Sequence, residues 1–340
     1  MVILVTGAAG RIGAHLTRLL VASGHQVRGF VLPGDPRTEL IRFPGVELWP
    51  GRLEDEAALT AATDGVEAIY HLGGALTSRY NSDQEFFDLN VRTTFTLLMA
   101  ARAAGSRLRR FVYASSDAVY LPPRGASPSF LPIEETHPRL AASVYGGSKV
   151  ASEDLCFSFW RGFGVPATVL RFGATADADE LTNPRSVFAR WLFVREAIAH
   201  LERTTSPGPE VRQSIQILRA LDNPRQDGPE RVVIFTDLEG RPEVRQWGDA
   251  RDVAVGCARI LEVEEAVGQA FNLGGVAPFS AAELGHHQAS RLGLEAVTAR
   301  LPIARGAWYT SSAKARGILG YAPRYTVFDM VDETVGVGIR

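Results

Sequence analysis

The first residues of the chain join a short apolar run to a turn of spaced glycines and then to a helical pattern. The glycines are Gly7, Gly10 and Gly13, and the helical pattern over residues 14–23 stops at Gly24. Glycines between a strand and a helix let the backbone approach a pyrophosphate, which the helix N-terminus attracts. The pattern predicts a dinucleotide-binding βαβ unit, and a tight turn without a ligand is the alternative interpretation.

A second strand, predicted over residues 26–32, should end beside the adenosine ribose of such a ligand. An acid at that end accepts a hydrogen bond from the 2′-OH of NAD, whereas an arginine favours the 2′-phosphate of NADP. The strand end reads Phe-Val-Leu-Pro-Gly-Asp, with neither residue type at the expected place. Asp35 and Arg37 are opposed candidates from the following loop, so the sequence leaves the choice between NAD and NADP open.

A tyrosine and a lysine, Tyr145 and Lys149, lie four residues apart at the start of a predicted helix. At that spacing both side chains share one helix face. An ammonium beside a phenol stabilises the phenolate, so the pair predicts a lowered Tyr145 pKa and a proton donor and acceptor near neutral pH. Lys149 and Lys314 are the only lysines among 36 basic residues, and arginine does not replace a compact ammonium. A solvated helix face is the alternative interpretation of the pair.

A strand predicted over residues 110–114 delivers two serines, Ser115 and Ser116, at its carboxyl end. Ligands of an open parallel sheet bind at this edge. The Ser116 hydroxyl is therefore expected to hydrogen-bond a substrate oxygen while Tyr145 exchanges its proton.

Another predicted strand, over residues 68–72, carries His71 near its end and is followed by Gly73 and Gly74. We expect His71 to pack against this loop rather than to act in catalysis, and the glycines suggest backbone that passes close to the cofactor. The helix predicted over residues 84–104 has an apolar face that is typical of core, part of which is a candidate dimer surface.

Taken together, these motifs resemble the extended short-chain dehydrogenase/reductase family, which includes NAD-dependent nucleotide-sugar epimerases and dehydratases. Residues 6–13, Thr-Gly-Ala-Ala-Gly-Arg-Ile-Gly, are similar to the family's cofactor loop. Ser116, before Asp-Ala-Val-Tyr, falls at the position of the catalytic serine, and Tyr145 and Lys149 match the catalytic tyrosine and lysine.

Weaker similarities run through the rest of the chain. Residues 71–75, His-Leu-Gly-Gly-Ala, resemble the family's His-Leu-Ala-Ala loop, and Asn90 begins a similar Asn-Val element. Arg245 begins a pattern resembling an Arg-x-x-x-x-x-x-Asp-Val-Ala element, whose arginine often meets substrate phosphate. Lys314 falls in a segment similar to the family's C-terminal Lys-Ala element, which accounts for the second lysine.

The resemblance implies an α/β fold, namely a Rossmann-type doubly wound parallel sheet with a smaller C-terminal substrate lobe. Residues 1–172 and 244–263 are predicted to form the dinucleotide-binding domain, and residues 173–243 and 264–340 the discontinuous lobe. It also implies a homodimer, NAD as cofactor with NADP as the alternative, and a small sugar-like substrate. The implied cofactor-binding residues are Gly7, Gly10, Arg11, Ile12, Gly13, Leu53, Leu72, Gly73, Tyr145 and Lys149, and the implied substrate-binding residues are Ser116, Asp117 and Arg245.

The implied chemistry is hydride transfer at a secondary alcohol of a sugar or nucleotide sugar. Tyr145 would move the proton, Lys149 would tune Tyr145 and hold the nicotinamide ribose, and Ser116 would position the oxygen. The three catalytic residues serve an epimerase and a dehydrogenase equally. The alternatives are therefore a dehydrogenase or reductase of a non-nucleotide sugar or related hydroxy compound and, more remotely, a dinucleotide-binding sensor without activity.

Three departures from the family pattern bear on the adenine contact, on dehydration and on a UDP-sugar substrate. Arg52 stands where the family has an acid that meets adenine. Ala118 replaces the glutamate that dehydratases carry after their acid, which disfavours dehydration. Ala174 stands near the place where sugar epimerases have an asparagine that holds the nucleotide diphosphate, which weakens a UDP-sugar interpretation.

Composition excludes other classes of protein. A net charge of −2 gives no indication of nucleic acid or of an anionic membrane surface as partner. No run of about 18 apolar residues occurs, and an apolar strand pattern starts at Val2, so neither a membrane span nor a signal peptide is expected. Cys156 and Cys257 match no metal spacing, and no metal is predicted. Two buried thiols fit a reducing compartment, and the expected location is the cytoplasm.

The segment over residues 177–244 is long and unusual for the family. It contains an amphipathic stretch over 185–203, a second helical stretch over 210–221, and strands predicted over 232–236 and 244–247 around a turn. A structural lid, an oligomer contact and a specificity element are alternative interpretations of this segment.

Overall fold

The computed structural model describes residues 1–76, 82–123, 126–203, 207–222, 228–304 and 306–336. These residues form two compact units. The first contains Met1–Gly173, Ala250–Gly274 and Thr310–Ala322, and the second contains Ala174–Asp249, Gly275–Tyr309 and Pro323–Arg340.

The first unit is built on seven short strands. Numbered by their order along the whole chain, they are β1 Val2–Thr6, β2 Gln26–Val31, β3 Val46–Pro50, β4 Ala68–His71, β5 Arg110–Ser116, β6 Ala167–Phe172 and β11 Ala270–Leu273. The helices of this unit are α1 Arg11–Ala22, α2 Glu56–Ala61, α3 Asp83–Phe86, α4 Thr93–Ala104, α5 Val144–Phe163, α8 Ala250–Arg259 and α10 Ala313–Leu319.

All seven strands pair in parallel, in the order β11-β6-β5-β4-β1-β2-β3. The strands are apolar and mostly buried, because a parallel sheet is covered on both faces. The chain order reverses between β1 and β4, which is the switch point where a doubly wound sheet binds ligands beyond its carboxyl edge. The predicted Rossmann-type fold is confirmed.

Helix α5 carries the predicted tyrosine and lysine, and local sequence signals set both of its ends. The Ser143 hydroxyl accepts a hydrogen bond from the backbone N–H of Gly146, which caps the N-terminus. Gly164 ends the helix in the left-handed conformation, with a φ of 70°. Helix α4 differs from the single helix predicted over residues 84–104, because a π-helical turn, Phe87–Arg92, separates it from α3.

The second unit combines small sheets with four helices among its described residues. Its strands are β7 Ala174–Ala176, β8 Arg231–Thr236, β9 Val244–Arg245, β10 Trp247–Asp249, β12 Phe279–Ser280, β13 Glu295–Arg300 and β14 Ala307–Trp308. Its helices are α6 Val194–Glu202, α7 Pro209–Leu221, α9 Ala281–Leu292 and α11 Val327–Thr334. Its core contains an aromatic cluster of Phe188, Trp191, Trp247 and Phe279.

The unit boundaries differ from the predicted ones in the C-terminal third of the chain. Residues 264–274 and 310–322 belong to the first unit, since β11 pairs with β6 and α10 packs against β11. Residues 244–249 belong to the second unit, where β9 and β10 lie. The turn predicted after the strand over 232–236 is present, since Thr236 bridges Pro242 in antiparallel fashion and the Glu243 N–H donates to the Phe235 carbonyl. The same strand, β8, also pairs in parallel with the distant β13. Among the described residues, no helix is both long and apolar enough to cross a bilayer.

Candidate active site

The glycine turn after β1 is built so that two of its glycines accept no side chain. Gly7 has a φ of +68°, and a Cβ there would lie 2.9 Å from the Gly73 nitrogen. A Cβ on Gly13 would lie 2.2 Å from the Gly7 carbonyl oxygen. Gly10 follows this turn at the N-cap of α1, whose first backbone N–H groups have no partner inside the helix. A glycine cradle against a helix N-terminus fits the pyrophosphate of a dinucleotide.

Thr6 ties this turn to the loop after β4. Its hydroxyl oxygen accepts a hydrogen bond from the Gly73 N–H at 3.0 Å and lies 2.8 Å from His71 Nδ1. His71 is buried, and burial lowers its pKa to about 3, with the Lys149 charge as a smaller cause. The ring is therefore neutral and packs beside the loop, as expected from the sequence. Thr6 is a contact that sequence reasoning did not single out.

The other predicted cofactor-binding residues lie around the same turn. Arg11 and Ile12 begin α1, and Ile12 and Leu72 pack against the core beneath the sheet edge. A methyl group added at Gly73 would meet Leu53 Cδ1 at 3.1 Å. A methyl group at Gly74 would lie 2.6 Å from Asn90 Oδ1 and 3.8 Å from Lys149 Nζ, so this loop connects the glycine turn to Lys149.

Ser116 ends β5 at the carboxyl edge of the sheet, as predicted. Its hydroxyl oxygen accepts a hydrogen bond from the Ala118 N–H at 3.1 Å, and lies 3.2 Å from Asp117 Oδ1. It also shares a hydrogen bond with the Tyr145 hydroxyl. The structure therefore places the predicted serine and tyrosine close enough to interact.

The environment of Tyr145 raises its pKa to about 12. Burial is the main cause, the hydrogen bond with Ser116 opposes it, and the Asp117 charge adds to the rise. The ring packs 5.8 Å from that of Phe86. The expected lowering of this pKa by Lys149 is wrong, because burial dominates the shift and Lys149 Nζ lies 5.9 Å from the centre of the ring.

Lys149 points at the strand end rather than at the phenol. Its Nζ donates a hydrogen bond to the Ala114 carbonyl at 2.9 Å and lies 5.1 Å from the centre of the Tyr113 ring. Burial lowers its pKa to about 8, and the Glu153 charge opposes the shift. Lys149 is therefore mostly charged at neutral pH.

Asn90 braces the start of α5 from the π-helical turn. Its amide oxygen accepts from the Ala75 N–H at 2.8 Å, and its amide nitrogen donates to the Ser148 hydroxyl oxygen at 2.9 Å. Ser148 in turn donates to the Tyr145 carbonyl at 2.7 Å. The π-helical turn thus fixes the backbone beneath the tyrosine.

Glu153 is a buried carboxylate that sequence reasoning missed. It accepts from the Ser115 hydroxyl at 2.5 Å and from Arg171 at 2.9 and 2.7 Å. Ser115 directly precedes Ser116, so Glu153 joins α5 to the strand end that carries the predicted catalytic serine. The available signal was its position four residues after Lys149, which puts a charged residue on the buried face of α5.

Asp35 and Arg37, the opposed candidates for cofactor choice, form an ion pair with each other. Arg37 Nη2 lies 2.5 Å from Asp35 Oδ2, and Arg37 Nε donates to Oδ1 at 3.0 Å. The Asp35 side chain is 10% exposed and that of Arg37 is 40% exposed. The guanidinium charge is thus already compensated by a neighbouring carboxylate.

Arg245 is the one predicted site residue that lies in the second unit. Its Nε donates to Glu243 Oε2 at 2.8 Å, and its Nη2 contacts the same oxygen. Its guanidinium carbon also lies 5.4 and 5.8 Å from the ring centres of Phe235 and Trp247. The cation predicted to meet substrate phosphate is therefore held by a carboxylate. Among the described residues, no cluster of His, Cys, Asp and Glu could hold a metal ion.

The parallel sheet and the glycine turn at its switch point define a dinucleotide-binding protein of the Rossmann class. The chain belongs to the NAD dependent epimerase/dehydratase family, whose model matches residues 3–192.

Similar proteins span a range of activities. A short-chain dehydrogenase/reductase superfamily protein from Agrobacterium tumefaciens, solved with bound NAD, is 34% identical with a TM-score of 0.85, over 98% of this chain and 96% of that one. Sterol demethylase protein B of Methylococcus capsulatus is 34% identical over 57% of this chain, and the match spans only about half, 53%, of that relative. UDP-glucose 4-epimerase of Lacticaseibacillus casei is 27% identical over 98% of this chain and 95% of its own length.

Proposed function

We propose that the protein is an NAD-dependent oxidoreductase of the epimerase type, which acts on a secondary alcohol of a sugar or nucleotide sugar. The observation that carries the proposal is the contact between the Ser116 and Tyr145 hydroxyls at the carboxyl end of β5, with Lys149 on the same helix face. A non-catalytic sensor has no use for all three groups.

NAD is the proposed cofactor. A protein that is 34% identical over nearly the whole chain was solved with NAD. The Asp35–Arg37 ion pair supports the same choice, because the 2′-phosphate of NADP would compete with a carboxylate for the guanidinium. When bound, the nicotinamide accepts hydride from the alcohol carbon or returns it to the resulting ketone.

The protein's own side chains handle the proton and the oxygen. Ser116 donates a hydrogen bond to the substrate oxygen and fixes its position. Tyr145, protonated at neutral pH with its pKa near 12, gives its proton to a ketone oxygen during reduction and takes it back from the alcohol during oxidation. The charged Lys149 lies at the same edge of the sheet and holds the nicotinamide ribose.

In the oxidation direction Tyr145 must accept a proton, which requires a Tyr145 pKa below about 12. A ligand ribose that engages Lys149 would move its ammonium from the Ala114 carbonyl towards the tyrosine, and a nearby positive charge lowers a phenol pKa. The loop of Gly73 and Gly74 passes close to Lys149, since a Cβ on Gly74 would lie 3.8 Å from Lys149 Nζ. Binding of the cofactor thus completes the acid–base pair.

Epimerisation is favoured over net oxidation by one relative. The UDP-glucose 4-epimerase of Lacticaseibacillus casei aligns along 95% of its length. An epimerase oxidises a carbinol and re-reduces it from the other side without releasing its cofactor, which uses the same three side chains twice.

A dehydrogenase of a non-nucleotide sugar or related hydroxy compound is the second candidate. The specific observation in its favour is the pairing of Arg245 with the buried Glu243. A substrate diphosphate would have to displace that carboxylate, whereas a substrate without phosphate would leave the pair intact.

A homodimer is the proposed assembly. Helix α4 packs on α5, yet the Phe95 and Met99 side chains on α4 are 45% and 43% exposed. Large apolar side chains one helical turn apart are typical of a surface that another subunit covers.

The function is tested by giving the purified protein a panel of UDP-sugars and free sugars with NAD, and following both the products by NMR and the absorbance of NADH. Interconversion of epimers with no net NADH supports the epimerase. Stoichiometric NADH with a keto product supports the dehydrogenase. Absence of any conversion, with no binding of NAD, would contradict both.

A further inference from the structure

The amino-terminal edge of the sheet in the first unit contains a basic cleft that the proposed chemistry does not use. The cleft has a volume of about 490 Å³ and lies between the ends of α4 and α5 and the starts of β5 and β6. Its charged lining residues are Arg102, Arg109, Arg110 and Glu264. Strand β5 runs from Arg110 to Ser116, so the cleft lies about 20 Å from the catalytic serine.

Arg110 forms the fixed floor of the cleft. It is buried, its Nε donates to the Ile260 carbonyl at 3.1 Å, and its Nη1 donates to the Arg109 carbonyl at 2.6 Å. Its Nη2 forms an ion pair with Glu264 Oε1 at 2.7 Å, and this contact lowers the pKa of Glu264. The Glu264 side chain is 79% exposed, so this ion pair is solvated and exchangeable.

Arg102 and Arg109 are the exposed arginines of the cleft. The Arg102 guanidinium carbon stacks 3.8 Å from the centre of the Phe163 ring, which orients the planar group and leaves its N–H edges available. Arg109 Nη1 makes only a long contact, 3.9 Å, with Met1 Sδ. Among the described residues, neither side chain has a carboxylate partner within ion-pair distance.

We propose that this cleft binds the phosphate group of a small organic molecule, with Arg102 and Arg109 as the residues that contact it. Three arginines against one glutamate leave an excess of two positive charges, which matches a phosphate of charge about −1.5 to −2 at pH 7. Guanidinium groups bind phosphate through paired, charge-assisted hydrogen bonds.

The cleft is larger than a phosphate ion needs. A volume near 490 Å³ lies within the range of about 300–1,000 Å³ that is common for small-molecule sites. Phe163, Pro166 and Val267 give it an apolar part. An organic group attached to the phosphate would cover this part, so a phosphate ester should bind more tightly than the free ion.

The test uses the full chain saturated with NAD, so that the glycine turn is already filled. Inorganic phosphate and phenyl phosphate are titrated by calorimetry into the wild-type protein and into Arg102→Gln, Arg109→Gln and Arg107→Gln. Arg107 is the matched control, because it is exposed on the same loop but does not line the cleft. Circular dichroism and thermal unfolding check that each variant is folded. If Arg102→Gln does not fold, Arg109→Gln alone tests the site.

We expect Arg102→Gln and Arg109→Gln each to weaken phosphate binding by about tenfold, and Arg107→Gln by less than about twofold. Phenyl phosphate should bind about tenfold more tightly than inorganic phosphate. An equal loss in Arg107→Gln, or no saturable binding up to about 10 mM, overturns the site. Equal affinity for inorganic phosphate and phenyl phosphate would refute the proposal that the ligand is an organic phosphate, and would indicate that the cleft binds free phosphate instead. These readouts do not involve turnover, so they are independent of the proposed reaction.

Discussion

The two units of this protein use their buried charges in different ways. In the first unit, Lys149 and Glu153 lie on one face of α5 and are tied to the strand end that carries the catalytic serine. In the second unit, Arg245 is paired with Glu243 two residues away, beside an aromatic core. The first arrangement positions groups for chemistry, whereas the second neutralises a cation locally.

Because of this difference, the first unit bears on the type of reaction and the second unit on the choice of substrate. The first unit has the glycine turn, the serine, the tyrosine and the lysine, which are the groups that the proposed oxidation and reduction of an alcohol uses together with a bound nicotinamide. The second unit departs from the pattern of nucleotide-sugar enzymes at Ala174 and in the pairing of Arg245. The four substitutions below test the comparison.

Tyr145→Phe should have the largest effect. Removing the hydroxyl that shares a hydrogen bond with Ser116 is expected to lower kcat by about a thousandfold, because general acid–base catalysis is typically worth about 10²–10⁴. Binding of NAD should change by less than about threefold, since the ring and its packing on Phe86 remain. Steady-state kinetics on the identified substrate and calorimetry with NAD measure the two effects. Retention of most of the turnover would refute the acid–base role.

Glu153→Gln should destabilise the first unit by about 3 kcal/mol, because it leaves the buried Arg171 guanidinium without its carboxylate. Asp154→Asn, at the next residue of α5, is the matched control. Its ion pair with Arg139 is exposed, and the expected change is below about 1 kcal/mol. Urea unfolding followed by circular dichroism gives both values. Similar losses for the two variants would show that the buried network is not what holds α5 in place.

Gly13→Ala should weaken NAD binding by about a hundredfold, equivalent to about 2.7 kcal/mol, because the added Cβ collides with the Gly7 carbonyl oxygen. Gly162→Ala is the control, since a Cβ there meets nothing within 4 Å. It lies inside α5 and should leave binding unchanged while stabilising the helix by about 0.5–1 kcal/mol. Fluorescence titration with NAD distinguishes the two variants. Normal binding by Gly13→Ala would contradict the assignment of the turn as the cofactor cradle.

Arg245→Gln should have the smallest effect on substrate binding. We expect KM to rise by less than about threefold, because Glu243 already engages the guanidinium. The double variant Glu243→Gln/Arg245→Gln controls for the carboxylate that the single change leaves unpaired. If KM for a nucleotide sugar rises more than about tenfold in both variants, Arg245 contacts the substrate phosphate. The proposed difference between the two units would then be wrong.

The sequence predicted the first unit well because its signals are local. A strand followed by Gly7, Gly10 and Gly13 specifies one turn, and the spacing of Tyr145 and Lys149 specifies one helix face. The contacts it missed join residues far apart in the chain. Thr6 meets His71 across 65 positions, and Glu153 meets Ser115 across 38.

The errors have the same physical origin. The Tyr145 pKa was expected to be lowered by Lys149, its neighbour at helical spacing, but burial raises this pKa to about 12. The turn after β8 was predicted, but the parallel pairing of β8 with β13, some sixty residues later, was not. Burial and long-range pairing depend on the whole fold, so a short pattern does not encode them.

The most direct test of the central claim is to denature the freshly purified protein and identify any released dinucleotide by chromatography and mass. An epimerase keeps its cofactor through both halves of the reaction, so the account predicts NAD at about one equivalent per chain. An empty protein that binds and exchanges free NAD would favour the dehydrogenase. A protein that neither contains nor binds NAD or NADP would contradict the assignment of the first unit as a nicotinamide-dependent catalyst.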